Sequence, residues 1–257
     1  MRKLRIGISP CPNDVWVFGG LLSGAVAPGA DAVFEDVQTL NERAGGANDL
    51  DLVKISYAAW PDWRESHVLL RCGGALGRGC GPLLLRNGAG DYDGAAPVWI
   101  PGERTTAAFL LRHWLGGSPV DPRPAPFDRL YRHLVETPGA QGVVIHEKRF
   151  TYARDGLTLV ADLGEVWERS TGCPIPLGAI VAPQGSDVEA MESIVRASLE
   201  WSESNPEAAL DACRRLADEM DDDVMRAHIG LYVNEWTRDL GEDGGRAVET
   251  FLARLEA

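Results

Sequence analysis

The chain has no apolar run near the roughly 18 residues that a membrane-spanning helix needs, so no such helix is expected. It also has no CxxC pair. Its five cysteines, Cys11, Cys72, Cys80, Cys173 and Cys213, are odd in number and widely spaced, which argues against both a disulfide framework and a structural zinc site. Positive charge is in short supply: 25 Lys and Arg against 38 Asp and Glu leave a formal charge of −13, which repels nucleic-acid phosphates and anionic lipid headgroups. The opening Met1-Arg2-Lys3-Leu4-Arg5-Ile6 lacks the apolar core and small-residue cleavage site of a secretory signal. These absences point to a cytoplasmic protein that handles small molecules, with its oligomeric state open.

Neither GxGxxG nor GxxxxGK[ST] occurs, and the glycine-rich run Gly73 to Pro82 leads from strand to strand, where a phosphate loop would open a helix. A tight, close-packed turn is the favoured reading. No internal repeat or low-complexity tract is present, and the acidic run Asp218 to Asp223 reads as a solvated helix end because it lacks oxygen-ligand spacing.

What is present is an α/β pattern in 257 residues, 45% of them hydrophobic, enough to bury a sizeable core. Strands are predicted at Leu4 to Ile8, Ala32 to Val37, Leu50 to Ser56, His67 to Cys72, Val98 to Ile100, Gly142 to Ile145, Leu157 to Ala161 and Pro176 to Ala182. Helices are predicted over Val15 to Leu22 with Asn13 or Asp14 as cap, and after Thr39 and Glu42 at capping-box spacing. Others run from Thr105 through Leu115, from Asp128 to Val135 and near Glu165 to Ser170, with Gly117 to Pro126 as a crossover loop. Beyond Asp187 the chain reads as helical, with caps at Asp187, Asn205 and Asp221 and an interruption at Gly241 to Gly245. Glycine- and proline-marked stretches at Asn87 to Pro97 and Cys173 to Pro176 suggest two crossings between lobes, and ligands favour the cleft so formed.

His146 is the leading chemical candidate, because the apolar run Gly142 to Ile145 delivers it to a strand end, where α/β proteins collect ligands. A satisfied core histidine is the competing reading. Strand alternation puts His146 on the face of Val144 and opposite Glu147, so Glu147 is read as a surface carboxylate. Lys54 and Ser56 share a strand face, and Ser56 either binds a ligand or caps the following helix. Thr105 and Thr106 open a helix whose first amides and dipole suit a carboxylate, with a plain N-cap as the alternative. Ser9 and Asn13 sit in the first strand-to-helix loop, Cys11 is read as loop packing, and Arg78 and Arg104 are possible auxiliary charges. His67, His113, His133 and His228 read as structural.

Several strings occur together in order: Ser9-Pro10-Cys11-Pro12-Asn13-Asp14, Lys54-Ile55-Ser56-Tyr57-Ala58-Ala59, Leu76 to Leu84, Ile100-Pro101-Gly102 with Thr105-Thr106-Ala107, and Ile145-His146-Glu147 with Arg149-Phe150-Thr151-Tyr152. Asp162 to Glu165, Pro174 to Gly178 and His228 to Asn234 continue the series over nearly the whole chain. In these segments the sequence resembles the 1,4-dihydroxy-6-naphthoate synthase family of the futalosine route to menaquinone. It departs from the family pattern at Val15-Trp16-Val17-Phe18 and Val166-Trp167.

The resemblance implies a two-lobed α/β fold like type II periplasmic binding proteins. The larger lobe would comprise 1–90 and 175–257, with the helical C-terminal segment packed on it, and the smaller lobe 91–174. It further implies a lyase that uses no metal or organic cofactor and acts on an anionic small molecule, cyclic dehypoxanthine futalosine. His146 would be the base, and Lys54, Ile55, Ser56, Thr105, Thr106, Ser9 and Asn13 would bind substrate. A noncatalytic solute-binding protein of the same fold and the chorismate dehydratase of the same pathway are the alternatives.

Overall fold

A computed structural model describes residues 2–43, 49–216 and 221–256. Eleven strands are found among them: β1 (Leu4–Ile8), β2 (Ala30–Phe34), β3 (Leu52–Ser56), β4 (His67–Leu69), β5 (Ala75–Gly77), β6 (Leu83–Asn87), β7 (Val98–Ile100), β8 (Pro122–Pro124), β9 (Gln141–Val144), β10 (Leu157–Asp162) and β11 (Ile175–Pro183). They form two sheets. The first runs β2-β1-β3-β11-β4, with β5 on the leading part of β11, and the second runs β10-β6-β9-β7-β8. In the first, β1 is parallel to β2 and β3, while β11 returns antiparallel to β3, β4 and β5. Every residue of β3 is buried, as a central strand covered on both faces requires.

The chain leaves the first sheet after β5 and returns at β11. Strand β6 therefore belongs to the second sheet, and the first crossing falls at the end of the glycine run rather than at Asn87 to Pro97. A Cβ on Gly81 would lie 2.3 Å from the Gly164 Cα. Two backbones meet there, so the run is a close-packed passage between sheets and carries β5 within it. The buried core continues across the passage: Val53, Ile55 and Leu76 of the first sheet pack in one cluster with Leu84, Val98 and Val143 of the second.

The C-terminal helices cover the first sheet. Val188–Ser204 packs on Gly19–Leu22, and Asp222–Tyr232 packs on Pro12–Val17 and β5. The final helix, Gly241–Leu255, begins at the glycines expected to interrupt it, and its Phe251 ring lies 4.7 Å from Phe109 and 5.5 Å from Trp167. Asp187 and Asp221 cap as expected, accepting from the amides of Ala190 and Asp223. Half of the acidic run, residues 218–220, lies outside the described residues.

Other expectations are corrected. The helix over Val15 to Leu22 is two helices, Pro12–Val17 and Gly19–Leu22; Pro12 starts the first, which has no side-chain cap, and Asn13 and Asp14 turn inward. Asp36, not Thr39, caps Val37–Glu42, accepting from the amides of Gln38 and Thr39. The loop Gly117 to Pro126 contains β8, an exposed edge strand where prolines forfeit no ladder bond. No helix among the described residues is long and apolar enough to cross a membrane.

The Gly81 passage makes a stability prediction. Gly81→Ala should cost about 1–3 kcal/mol, since neither backbone can yield cheaply, whereas Gly245→Ala, with open space at its Cβ inside a helix, should be neutral or stabilising by up to about 1 kcal/mol. Urea denaturation of the two variants checks this.

Candidate active site

The carboxyl ends of β1 and β3 open onto a cleft of about 720 Å³, counting its open mouth. Ser9, Asn13, Lys54, Ile55, Ser56, Thr105, Thr106 and His146 all line it, so the structure brings the eight site residues expected from sequence to one place. Asp14, Cys80, His228 and Tyr232 line it too.

Asp14 organises the floor. Its Oδ1 accepts from Lys54 Nζ at 2.7 Å and Asn13 Nδ2 at 2.8 Å, and its Oδ2 accepts from Ser9 Oγ at 2.7 Å and the Ser9 amide at 3.3 Å. The Asp14 and Lys54 side chains are only 4% and 7% exposed. A charge pair so desolvated is tolerated because further donors satisfy the carboxylate. Pro12 made this possible: by opening the helix three residues earlier than Val15, it turns Asp14 toward Lys54 of β3 and Asn13 toward Asp14 and His228.

His146 sits where β9 has already ended. The strand stops at Val144 and His146 adopts φ +60°, the left-handed region that a non-glycine residue enters at a cost of about 1–3 kcal/mol. Strand alternation therefore does not set its direction, contrary to the expectation from sequence; the turn does. Its Nδ1 lies 3.0 Å from Cys11 Sγ, and the Phe127 ring meets it edge-on at 5.1 Å. Desolvation holds the imidazole below its ordinary pKa, against the opposing pull of Glu147, Asp14 and Asp36. Desolvation, aided by the Asp14 charge, pushes the Cys11 thiol well up, so that it stays un-ionised. Cys11, read from sequence as loop packing, is thus the histidine's neighbour, fixed between Pro10 and Pro12 at the end of β1. Among the described residues Glu147 makes no hydrogen bond to the ring.

The hydroxyls divide their duties. Ser56 does not cap the turn that follows it. Its amide donates to Asn41 Oδ1 at 2.8 Å and its Oγ accepts from Asn41 Nδ2 at 3.1 Å, leaving the Ser56 hydroxyl proton available. Thr105 is the N-cap of Thr106–Leu115, accepting from the Ala108 amide at 3.2 Å and donating to Gly102 O at 2.7 Å. Thr106 Oγ1 donates to Leu177 O at 3.0 Å. Both hydroxyls are occupied, so the helix offers the amides of Thr106 and Ala107, which precede its first internal bond. Arg78 and Arg104 are exposed and paired with Glu168 and Asp62; neither lines the cleft.

Two groups were missed from sequence. Asp14 was read only as a helix cap, although its place beside Asn13 at a strand end was a usable signal. His228 was read as structural within a helix. It is buried at the cleft wall, donating through Nε2 to Asn13 Oδ1 at 2.9 Å and lying 4.6 Å from the Tyr232 ring.

A family model described as menaquinone biosynthesis matches residues 4–257. The chain is 43% identical to a 1,4-dihydroxy-6-naphthoate synthase from Thermus thermophilus over 100% of its own length and 95% of that protein's. It belongs to this family. The synthase from Streptomyces coelicolor is 44% identical over 99% of this chain and 93% of its own. Membership makes the chain an enzyme of the 1,4-dihydroxy-6-naphthoate synthase family rather than a noncatalytic binding protein or a chorismate dehydratase. A crystal structure of an Archaeoglobus fulgidus protein superposes with TM-score 0.90 at 27% identity, covering 99% of this chain and 97% of that one. The alkanesulfonate-binding protein from Xanthomonas axonopodis gives 0.66 at 13% identity over 90% and 84%, a likeness of fold, that of the periplasmic binding proteins.

The Asp14 network predicts that Asp14→Asn, which leaves the Lys54 ammonium buried without its counter-charge, destabilises by about 3–5 kcal/mol. Adding Lys54→Met should recover most of the loss, measured by urea denaturation of the single and double variants.

Proposed function

We infer that the substrate is cyclic dehypoxanthine futalosine and that His146 is the base that begins its cleavage to 1,4-dihydroxy-6-naphthoate. The observation that carries this reading is the setting of His146: a strained turn holds it in the cleft wall, its Nδ1 rests on Cys11, and its environment keeps it neutral. This reading takes the tautomer in which Nδ1–H donates to the Cys11 sulfur, so that Nε2 keeps its lone pair for a substrate C–H. The C–H electron pair left on carbon as the proton moves to Nε2 drives carbon–carbon cleavage. The naphthoate ring becomes aromatic as the sugar-derived fragment departs.

The cleft suits such a substrate. Asp14 and Lys54 cancel, and Cys11 and His146 are uncharged, so the walls near the base carry little net charge. An anionic carboxylate is served instead by the Thr106 and Ala107 amides and the dipole of a ten-residue helix. Ser56 offers a hydroxyl proton, Lys54 the ammonium protons not given to Asp14, and Ile55 an apolar surface for the ring. Ser9 and Asn13 hold the Asp14 side of the wall.

The same proposal divides the molecule into two lobes, residues 1–82 with 175–257 and residues 83–174, with the cleft between them. It places the protein in the cytoplasm, in keeping with five cysteines that are all free.

Two measurements test the reading. Chromatography should show the naphthoate forming when wild type is incubated with cyclic dehypoxanthine futalosine, with kcat for His146→Ala lower by about 10²–10⁴-fold. Wild type that binds tightly and releases nothing would favour a solute-binding role. The pH profile of kcat/KM has a definite sign: the neutral imidazole is active and its pKa lies below 6.5, so the rate should stay level down through pH 6.5 and fall only below it. An acid limb above neutrality contradicts this assignment.

A further inference from the structure

His228 has one ring nitrogen bonded to Asn13 and a second that no hydrogen bond among the described residues uses. The Asp14 carboxylate only accepts, so the Asn13 amide must turn its Nδ2 toward Asp14 and its Oδ1 toward His228. An oxygen facing Nε2 at 2.9 Å requires Nε2 to carry the proton. The lone pair therefore resides on Nδ1. His228 is 1% exposed, and its Nδ1 has no hydrogen-bond partner among the described residues, while the ring forms part of the cleft wall.

A buried acceptor left unmatched is costly to the fold and uncommon, so it calls for a partner that arrives later. The Nε2 bond to Asn13 orients the ring, which also lies 4.6 Å from Tyr232, so its acceptor has a set direction. Burial, reinforced by His146 and Arg149 and opposed by Asp14, lowers the His228 pKa to about 3. It stays neutral through the working range and offers a lone pair rather than a proton.

We propose that His228 Nδ1 accepts a hydrogen bond from a hydroxyl of the bound substrate and thereby anchors it in the cleft, away from the reacting atoms. The chain from Lys54 through Asp14 and Asn13 to His228 fixes the tautomer, so the ion pair that builds the floor also selects for a donor at this point. A site built to receive a hydroxyl discriminates against analogues that lack it, because the acceptor then stays unpaired. This inference rests on the substrate reading given above.

Two substitutions separate the nitrogens. His228→Gln keeps a donor for Asn13 at the Nε2 position and removes the Nδ1 acceptor, whereas His228→Asn keeps an acceptor near Nδ1 and gives up the Asn13 bond. Steady-state kinetics on cyclic dehypoxanthine futalosine should show KM raised about tenfold in His228→Gln, the size of one neutral hydrogen bond, with Tm, kcat and the acid limb close to wild type. His228→Asn should keep KM near wild type and lower Tm. In parallel, the Nδ1 resonance of ¹⁵N-histidine-labelled His146→Ala should move upfield when the uncleaved compound is added. Unchanged KM in His228→Gln, equal losses of affinity and Tm in both variants, or an unmoved Nδ1 resonance would overturn the proposal. If wild type forms no product while Nδ1 responds, the substrate reading falls and the acceptor site stands; product formation with an unresponsive Nδ1 does the reverse.

Discussion

The buried pair of Asp14 and Lys54 is the contact on which the site depends. It joins the first helix to β3 through a 2.7 Å charge-assisted bond and recruits Ser9 and Asn13 as further donors. Through Asn13 it reaches His228 on a helix more than two hundred residues along the chain. A buried ion pair is seldom a source of stability by itself, because desolvation offsets most of the attraction. Its worth here is directional: each polar side chain on this side of the cleft has one orientation, and the paired charges cancel beside His146, the proposed base.

The other wall is built differently. His146 and the helix Thr106–Leu115 both come from the part of the chain that forms the second sheet. The turn that carries His146 is strained, and the helix presents amides rather than its threonine hydroxyls, which are occupied by capping and by the bond to Leu177. One wall thus supplies a balanced charge network and the other the proposed base and a helix end with free amides. The Gly81 and Gly164 backbones, which leave no room for a side chain between them, fix the passage from one sheet to the other close to the site.

Much of this was legible in the sequence, for identifiable reasons. Apolar runs such as Leu4 to Ile8 and the capping pattern at Thr105 report local preference directly, and the structure places those elements as read. Local strings also collected all eight expected site residues. The errors came where tertiary context decides. Pro12 moved a helix start and turned Asp14 from a cap into a buried counter-ion. The glycine run looked like a turn because a close approach of distant backbones leaves no local trace. His228 looked like one more helical histidine, since the partner that orients it, Asn13, is remote in sequence. Cys11 was set aside because its neighbour, His146, lies 135 residues away.

The proposed reaction requires that a substrate lie with its reacting C–H at His146 and its carboxylate on the Thr106 and Ala107 amides. A crystal structure of His146→Ala with uncleaved cyclic dehypoxanthine futalosine measures this directly. The carboxylate should lie within hydrogen-bond distance of those two amides, and the scissile ring should face the space vacated by the imidazole beside Cys11. A carboxylate bound elsewhere, or a ring turned away from Cys11, would contradict it.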